Sequence, residues 1–174
     1  VKWCNARSEM AGLTPVYQVD GKVYRRGEYG EDGSNVVTQI AGANGYRLPT
    51  EAEWEWAARG GIKSRGYKFS GSDDLDAVGW YLSNSKGGAE VIFVDDGRGP
   101  WPVAQKETNE IGLYDMSGNV WEWCWDLDRS RRRLRGGSWN SGTDECAVSH
   151  RYDLAPKDYY FNFCILGFRL ARSL

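Results

Sequence analysis

Histidine is almost missing from this 174-residue chain: His150 stands alone, beside two methionines and five prolines. One imidazole excludes a polyhistidine metal centre. Its neighbour Ser149 would point to the opposite face of an extended chain, so the two form no nucleophile and base. Four cysteines (Cys4, Cys124, Cys146, Cys164) include no C-x-x-C pair, which argues against a zinc ribbon or a thioredoxin-like motif. They read as free thiols behaving as small buried hydrophobes, with a disulfide framework as the alternative. No apolar run approaches membrane-spanning length, and no charged-then-apolar leader opens the chain. The formal net charge of -2 gives no overall pull toward nucleic acid or anionic lipid. No motif nominates the paired carboxylates of a glycosidase.

Aromatic residues and glycine are abundant. Nine Trp and ten Tyr beside 22 Gly describe large aromatic plugs joined by tight loops, which excludes a helix bundle. The length fits a single domain over residues 1–174, large enough to bury its own core.

The organising stretch is Gly112 to Asp126, G-L-Y-D-M-S-G-N-V-W-E-W-C-W-D. Asp115, Ser117, Gly118 and Asn119 predict a turn. Strict alternation then predicts a strand, with Trp121, Trp123 and Trp125 facing a core and Glu122, Cys124 and Asp126 on the other side. Val1 to Glu9 reads as the tail of a helix, and Tyr17 to Gly27 as two short strands about an Asp20-Gly21 hairpin turn. Thr50 with Glu53 forms a capping box that starts a helix ended by Gly60-Gly61. Trp54, Ala57 and Ala58 make its inner face, and Glu55 and Arg59 an outer i,i+4 pair. Gly66 to Asn109 reads as loop, with strand fragments at Val91 to Val94 and Trp101 to Val103 and turn-forming Asx residues at Asp73-Asp74 and Asp95-Asp96. The basic run Arg129 to Arg135 reads as a solvated excursion. Leu166 to Ala171 reads as a closing strand.

Four segments together resemble the formylglycine-generating-enzyme (sulfatase-modifying factor) family: Arg47 to Gly60, Asn109 to Trp123, Arg135 to Trp139 and Gly167 to Ala171. The resemblance implies an α+β chain with a C-type lectin fold, two helices around small antiparallel sheets with extensive loops. Family members carry strands before the first helix, which this chain lacks, and a longer connection between Trp125 and Gly136. The family's oxidases hold copper(I) on two cysteines with four residues between them. Here the second falls on Cys146 and the first on Ser141, and a hydroxyl is a hard, protonated ligand where copper(I) needs a thiolate. The resemblance therefore implies no copper and no enzyme. The alternatives are an oxidoreductase of altered chemistry acting on protein cysteine, or a degenerate relative with a structural role.

Tyr152 to Leu166 is rich in adjacent aromatics, fitting neither the strand nor the helix period, and reads as a recognition surface. A narrower resemblance is to the variable proteins of diversity-generating retroelements, of the treponemal type. These vary at Asn codons that never yield Trp, Gln, Lys, Glu or Met. From Cys146 to Leu166 only Lys157 falls outside that alphabet. This implies a variable segment over 139–169 whose ligand-binding residues are Asn140, Ser141, Gly142, His150, Tyr152, Asp153, Leu154, Ala155, Tyr159, Tyr160, Phe161, Phe163 and Ile165. The expected ligand is a protein or cell-surface molecule, with the chain at the cell surface or outside it. The family resemblance also implies structural calcium, held by the carboxylates of Asp115 and Glu122 and the main-chain carbonyls of Gly118 and Val120.

Overall fold

The computed structural model describes residues 1–26, 36–89, 96–155 and 164–173. The chain divides into two compact units, 1–49 with 169–174, and 50–168.

In the first unit, helix α1 (Lys2–Met10) packs beside a hairpin of β1 (Tyr17–Val19) and β2 (Lys22–Val23). Asp20 (φ 48°) and Gly21 (φ 75°) take left-handed backbone, the requirement of a two-residue I′ turn. Buried Asn5 ties helix to hairpin: its amide donates to the carbonyls of Tyr17 (2.8 Å) and Tyr24 (3.0 Å), while its Oδ1 accepts from Val16 and Tyr17 N–H. Strand β3 (Thr38–Gln39) flanks β1, and β4 (Tyr46–Arg47) pairs with the C-terminal β9 (Ala171–Arg172).

The second unit opens with α2 (Glu51–Ala58). Its capping box is complete, with Thr50 Oγ1 accepting from Glu53 N–H and the Glu53 carboxylate from Thr50 N–H. Trp54 and Ala58 are its buried face, and Glu55 pairs with Arg59 at 2.8 Å. A four-residue helix α3 (Leu75–Val78), capped by Asp74, interrupts the stretch expected to be loop. Trp101 to Val103 is not a strand. Trp101 instead stacks on Trp80 at 4.2 Å, and the Asn119 side chain clamps its N–H and carbonyl. Val91 to Val94 lies outside the described residues.

The main sheet joins β5 (Trp121–Asp128), β6 (Arg131–Arg135), β7 (Arg151–Leu154) and β8 (Leu166–Gly167) in the order β7-β6-β5-β8. All neighbours are antiparallel except β5 and β8. The basic run is thus a strand and not a solvated excursion, because carboxylates distant in sequence pair with its arginines. The expected closing strand is split between β8 and β9.

The alternation in β5 is real, but the assignment of its faces is corrected. Cys124 is fully buried, joining Trp54, Met116 and Val148 in the core beneath α2, while Trp123 and Trp125 are only half-buried. Trp121 packs on the opposite face of the sheet, against Leu134 and Leu154. Both faces are covered, so polarity alone does not tell inside from outside. All four cysteines are free.

Candidate functional site

Two faces of the main sheet do different work. On the α2 face, Arg135 is fully buried, its guanidinium donating to Glu51 (3.0 Å), to Glu55 (2.6 Å) and to the Val148 carbonyl (2.6 Å). Glu51 also receives Arg133 (3.5 Å) and Arg151 (3.2 Å). Burial pushes the Glu55 carboxyl up, but the bond from Arg59 and the charge and bond of Arg135 outweigh it, leaving Glu55 below the ordinary glutamate value. Beside this network Glu122, 6% exposed, accepts from the Trp54 indole at 2.6 Å. The sequence nominates Glu122 as a calcium ligand and Glu55 as a partner of Arg59, but not the buried Arg135, whose carboxylate partners Glu51 and Glu55 lie 84 and 80 residues away.

On the other face, Trp121 is a platform. His150 lies over it with ring centroids 5.9 Å apart, and Tyr152 at 5.7 Å. Tyr152 is 50% exposed, whereas Leu154, two residues along β7, is buried against Trp121 and Leu134. One strand therefore presents an aromatic ring to solvent while rooting itself in the core.

The expected ligand-binding residues separate accordingly. Asn140 and Gly142 are exposed, His150 is half-buried, and Ile165 is half-buried against the Trp121 cluster. Asp153 is held by Arg133 at 2.6 Å, so it orders β7 against β6. Ser141, Leu154 and Ala155 are buried. Ser141 is buried, its hydroxyl 3.3 Å from that of Ser138, and Leu154 and Ala155 belong to the core. Tyr159, Tyr160, Phe161 and Phe163 lie outside the described residues.

Cys146 is fully buried and packs with Phe69, Leu75 and Val78. Burial, and then the charge of Glu145, pushes its thiol up to about 12, and burial also raises Cys124. A neutral thiol is a poor nucleophile. A thiol-labelling reagent at mildly alkaline pH is expected to modify Cys146 only as fast as the chain unfolds. Labelling followed by mass spectrometry checks this.

The expected calcium turn is wound tightly, with left-handed φ at Asp115 (54°), Gly118 (81°) and Asn119 (64°). A Cβ on Gly118 would stand 2.3 Å from the Trp80 carbonyl oxygen, so only glycine fits. Asp115 Oδ2 accepts from Ala104 N–H at 2.8 Å. Among the described residues no three His, Cys, Asp or Glu side chains converge as a metal site. An ion here would take half its ligands from the main chain.

The sulfatase-modifying factor enzyme 1-like domain matches residues 1–174. The chain belongs to this family. Within the sulfatase-modifying factor family it is 39% identical over 166 residues to the chaperone protein LppX of Paenibacillus barcinonensis, covering 86% of this chain and 59% of that one. It is 40% identical over 138 residues to the inactive C-alpha-formylglycine-generating enzyme 2 of Bos taurus, covering 73% and 44%. It is 43% identical over 163 residues to the formylglycine-generating enzyme of Streptomyces coelicolor, covering 80% and 50%. The chain thus spans about half the length of these curated relatives. Among solved structures, Treponema denticola variable protein 1 superposes with a TM-score of 0.74 at 32% identity, covering 98% of this chain and 66% of that one. CarF superposes at 0.78 and 30%, covering 99% and 64%. The fold is accordingly the α+β C-type lectin fold in its formylglycine-generating form. Its relatives include one named inactive and one named variable. No helix among the described residues is long and apolar enough to cross a membrane.

Proposed function

We propose that this chain is a non-catalytic binding domain that displays a varied surface from a fixed lectin-type frame. The observation that carries the reading is the change in exposure along one face of β7: Tyr152 stands half in solvent on the Trp121 platform, while Leu154, two residues on along the same face, is buried against Trp121 and Leu134. Aromatic rings supply large contact area at small cost in rotamer entropy. Asn140, Gly142, His150 and Tyr152 form its described part, and Tyr159, Tyr160, Phe161 and Phe163 extend it. The likeness to Treponema denticola variable protein 1 supports this reading. It also supports a position at the cell surface, with a protein or cell-surface molecule as ligand.

Oxidase chemistry is not part of the proposal. Ser141 stands where the family's copper pair has its first cysteine, and its hydroxyl is buried against Ser138. Stoichiometric uptake of copper(I) by the folded chain would overturn this point.

Replacing Tyr152, Tyr159, Tyr160 and Phe161 together by serine is expected to move the melting temperature by no more than about 3 °C. Capture from an array of extracellular proteins and glycans is expected to disappear. Leu154→Ser should do the opposite to stability, costing about 2–4 kcal/mol. An unfolded quadruple variant, or a wild-type chain that captures nothing on the array, counts against the reading.

The proposal extends to calcium at Asp115, Gly118, Val120 and Glu122, an oxygen-only set suited to that ion. Its support is the left-handed winding of the turn and the buried carboxylate of Glu122. At a hundredfold excess over the dissociation constant, calcium is expected to raise the melting temperature by about 5–10 °C, with EDTA reversing the rise. An unchanged melt in both conditions removes the ion.

A further inference from the structure

Two exposed apolar side chains share one turn of the second unit. Beyond α2, Gly60 (φ 87°) and Gly61 (φ 57°) take left-handed backbone and lead the chain into the short turn Gly61–Lys63. Trp56, on the outer side of α2, is 57% exposed and lies against Gly61, where a Cβ would stand 2.9 Å from its ring. Ile62 follows at 90% exposed, the highest value for a large hydrophobic side chain among the described residues. One exposed apolar residue is ordinary on a protein surface, but two on a single projecting turn mark a contact.

The charges around this turn are sorted by direction. Lys63 and Arg65, one and three residues past Ile62, are exposed. The neighbouring carboxylates are occupied by the fold. Glu110 Oε1 accepts from Arg65 N–H at 3.1 Å and its Oε2 is buried. Glu55 is held by Arg59 and Arg135, and Glu53 by the cap of α2. Positive charge therefore faces water beside Ile62, on a chain whose net charge is -2.

We propose that this turn docks on an anionic lipid surface, with Ile62 inserted among the acyl chains, the Trp56 indole at the headgroup boundary and Lys63 and Arg65 on the lipid phosphates. The occupant follows from charge and shape together. A protein partner is gripped by a packed central cluster inside a polar rim, whereas here a branched side chain projects almost alone from a turn. Apolar insertion and cationic attraction are each weak by themselves, and stable attachment to a membrane takes both. Indoles settle at the boundary between headgroups and chains. Each basic residue at an anionic surface strengthens binding about fivefold. The turn would rest on the bilayer without spanning it.

The test is co-sedimentation of the folded chain with sucrose-loaded vesicles, one set of pure phosphatidylcholine and one of equal parts phosphatidylcholine and phosphatidylglycerol. The wild type is expected to pellet with the mixed vesicles at millimolar lipid and to be released by high salt. Ile62→Asp should weaken that binding about tenfold or more while leaving the melting temperature unchanged, because the side chain stands in water. Lys63→Gln with Arg65→Gln should weaken it by a similar factor. The variant with serine at 152, 159, 160 and 161 should bind the vesicles as the wild type does, which separates this turn from the aromatic surface. A wild type that stays in the supernatant or pellets equally with both vesicle sets would overturn the proposal. So would Ile62→Asp binding undiminished, or loss of binding in the aromatic variant.

Discussion

Arg135→Met is expected to cost about 3–5 kcal/mol of folding free energy. For a chain of this size that lowers the melting temperature by about 10 °C. The guanidinium is fully buried and bridges Glu51 and Glu55, one turn apart on α2, so its removal leaves two partly buried carboxylates with only Arg133, Arg151 and Arg59 to offset them. The cost has a pH signature. Glu55 is held below the ordinary glutamate value, so its contribution is present above that range and is lost as pH falls through the folded value. Without Arg135, Glu55 keeps Arg59 but loses the bond and charge of Arg135, so its folded value rises and the gap between wild type and variant should narrow on acidification. Urea melts from pH 7 downward measure this. Adding Glu51→Gln and Glu55→Gln to Arg135→Met should recover part of the loss, as removal of a whole ionic group often does.

Trp54→Ala is the second large effect, at about 3–5 kcal/mol. Trp54 is 1% exposed and fills the space between Ala58, Met116, Cys124 and Val148. Its indole N–H also donates to buried Glu122. Trp54→Phe separates the two roles, since most of the volume stays while the donor goes. It is expected to cost about 1–3 kcal/mol. Denaturant melts of the pair distinguish them.

Where chemistry is local, the chain could be read without coordinates. Thr50 and Glu53 cap one another three residues apart, and Asp20-Gly21 can turn a hairpin with no help from elsewhere. The four family segments fixed the fold class. Reading failed where a side chain answers to a distant partner. Arg133 and Arg135 look like solvated charges until Glu51 and Asp153 are brought to them. The tryptophans of β5 look like the sole buried face until α2 covers Cys124 and Glu122. In the site, β7 shows the same difficulty. Nothing in R-Y-D-L-A says that Tyr152 stays half in solvent while Leu154, on the same face of the strand, is buried, because that depends on what packs over each end of β7.

The chain on the far side of the aromatic segment is gripped in a manner that ignores spelling. The Trp139 indole N–H donates to the Cys164 carbonyl at 2.9 Å, and the Trp121 N–H to the Ile165 carbonyl at 2.7 Å. Both bonds clasp the peptide unit, which every amino acid carries alike. The path of the chain at positions 164 and 165 is therefore held through its main chain, with the Ile165 side chain adding its packing against the Trp121 cluster.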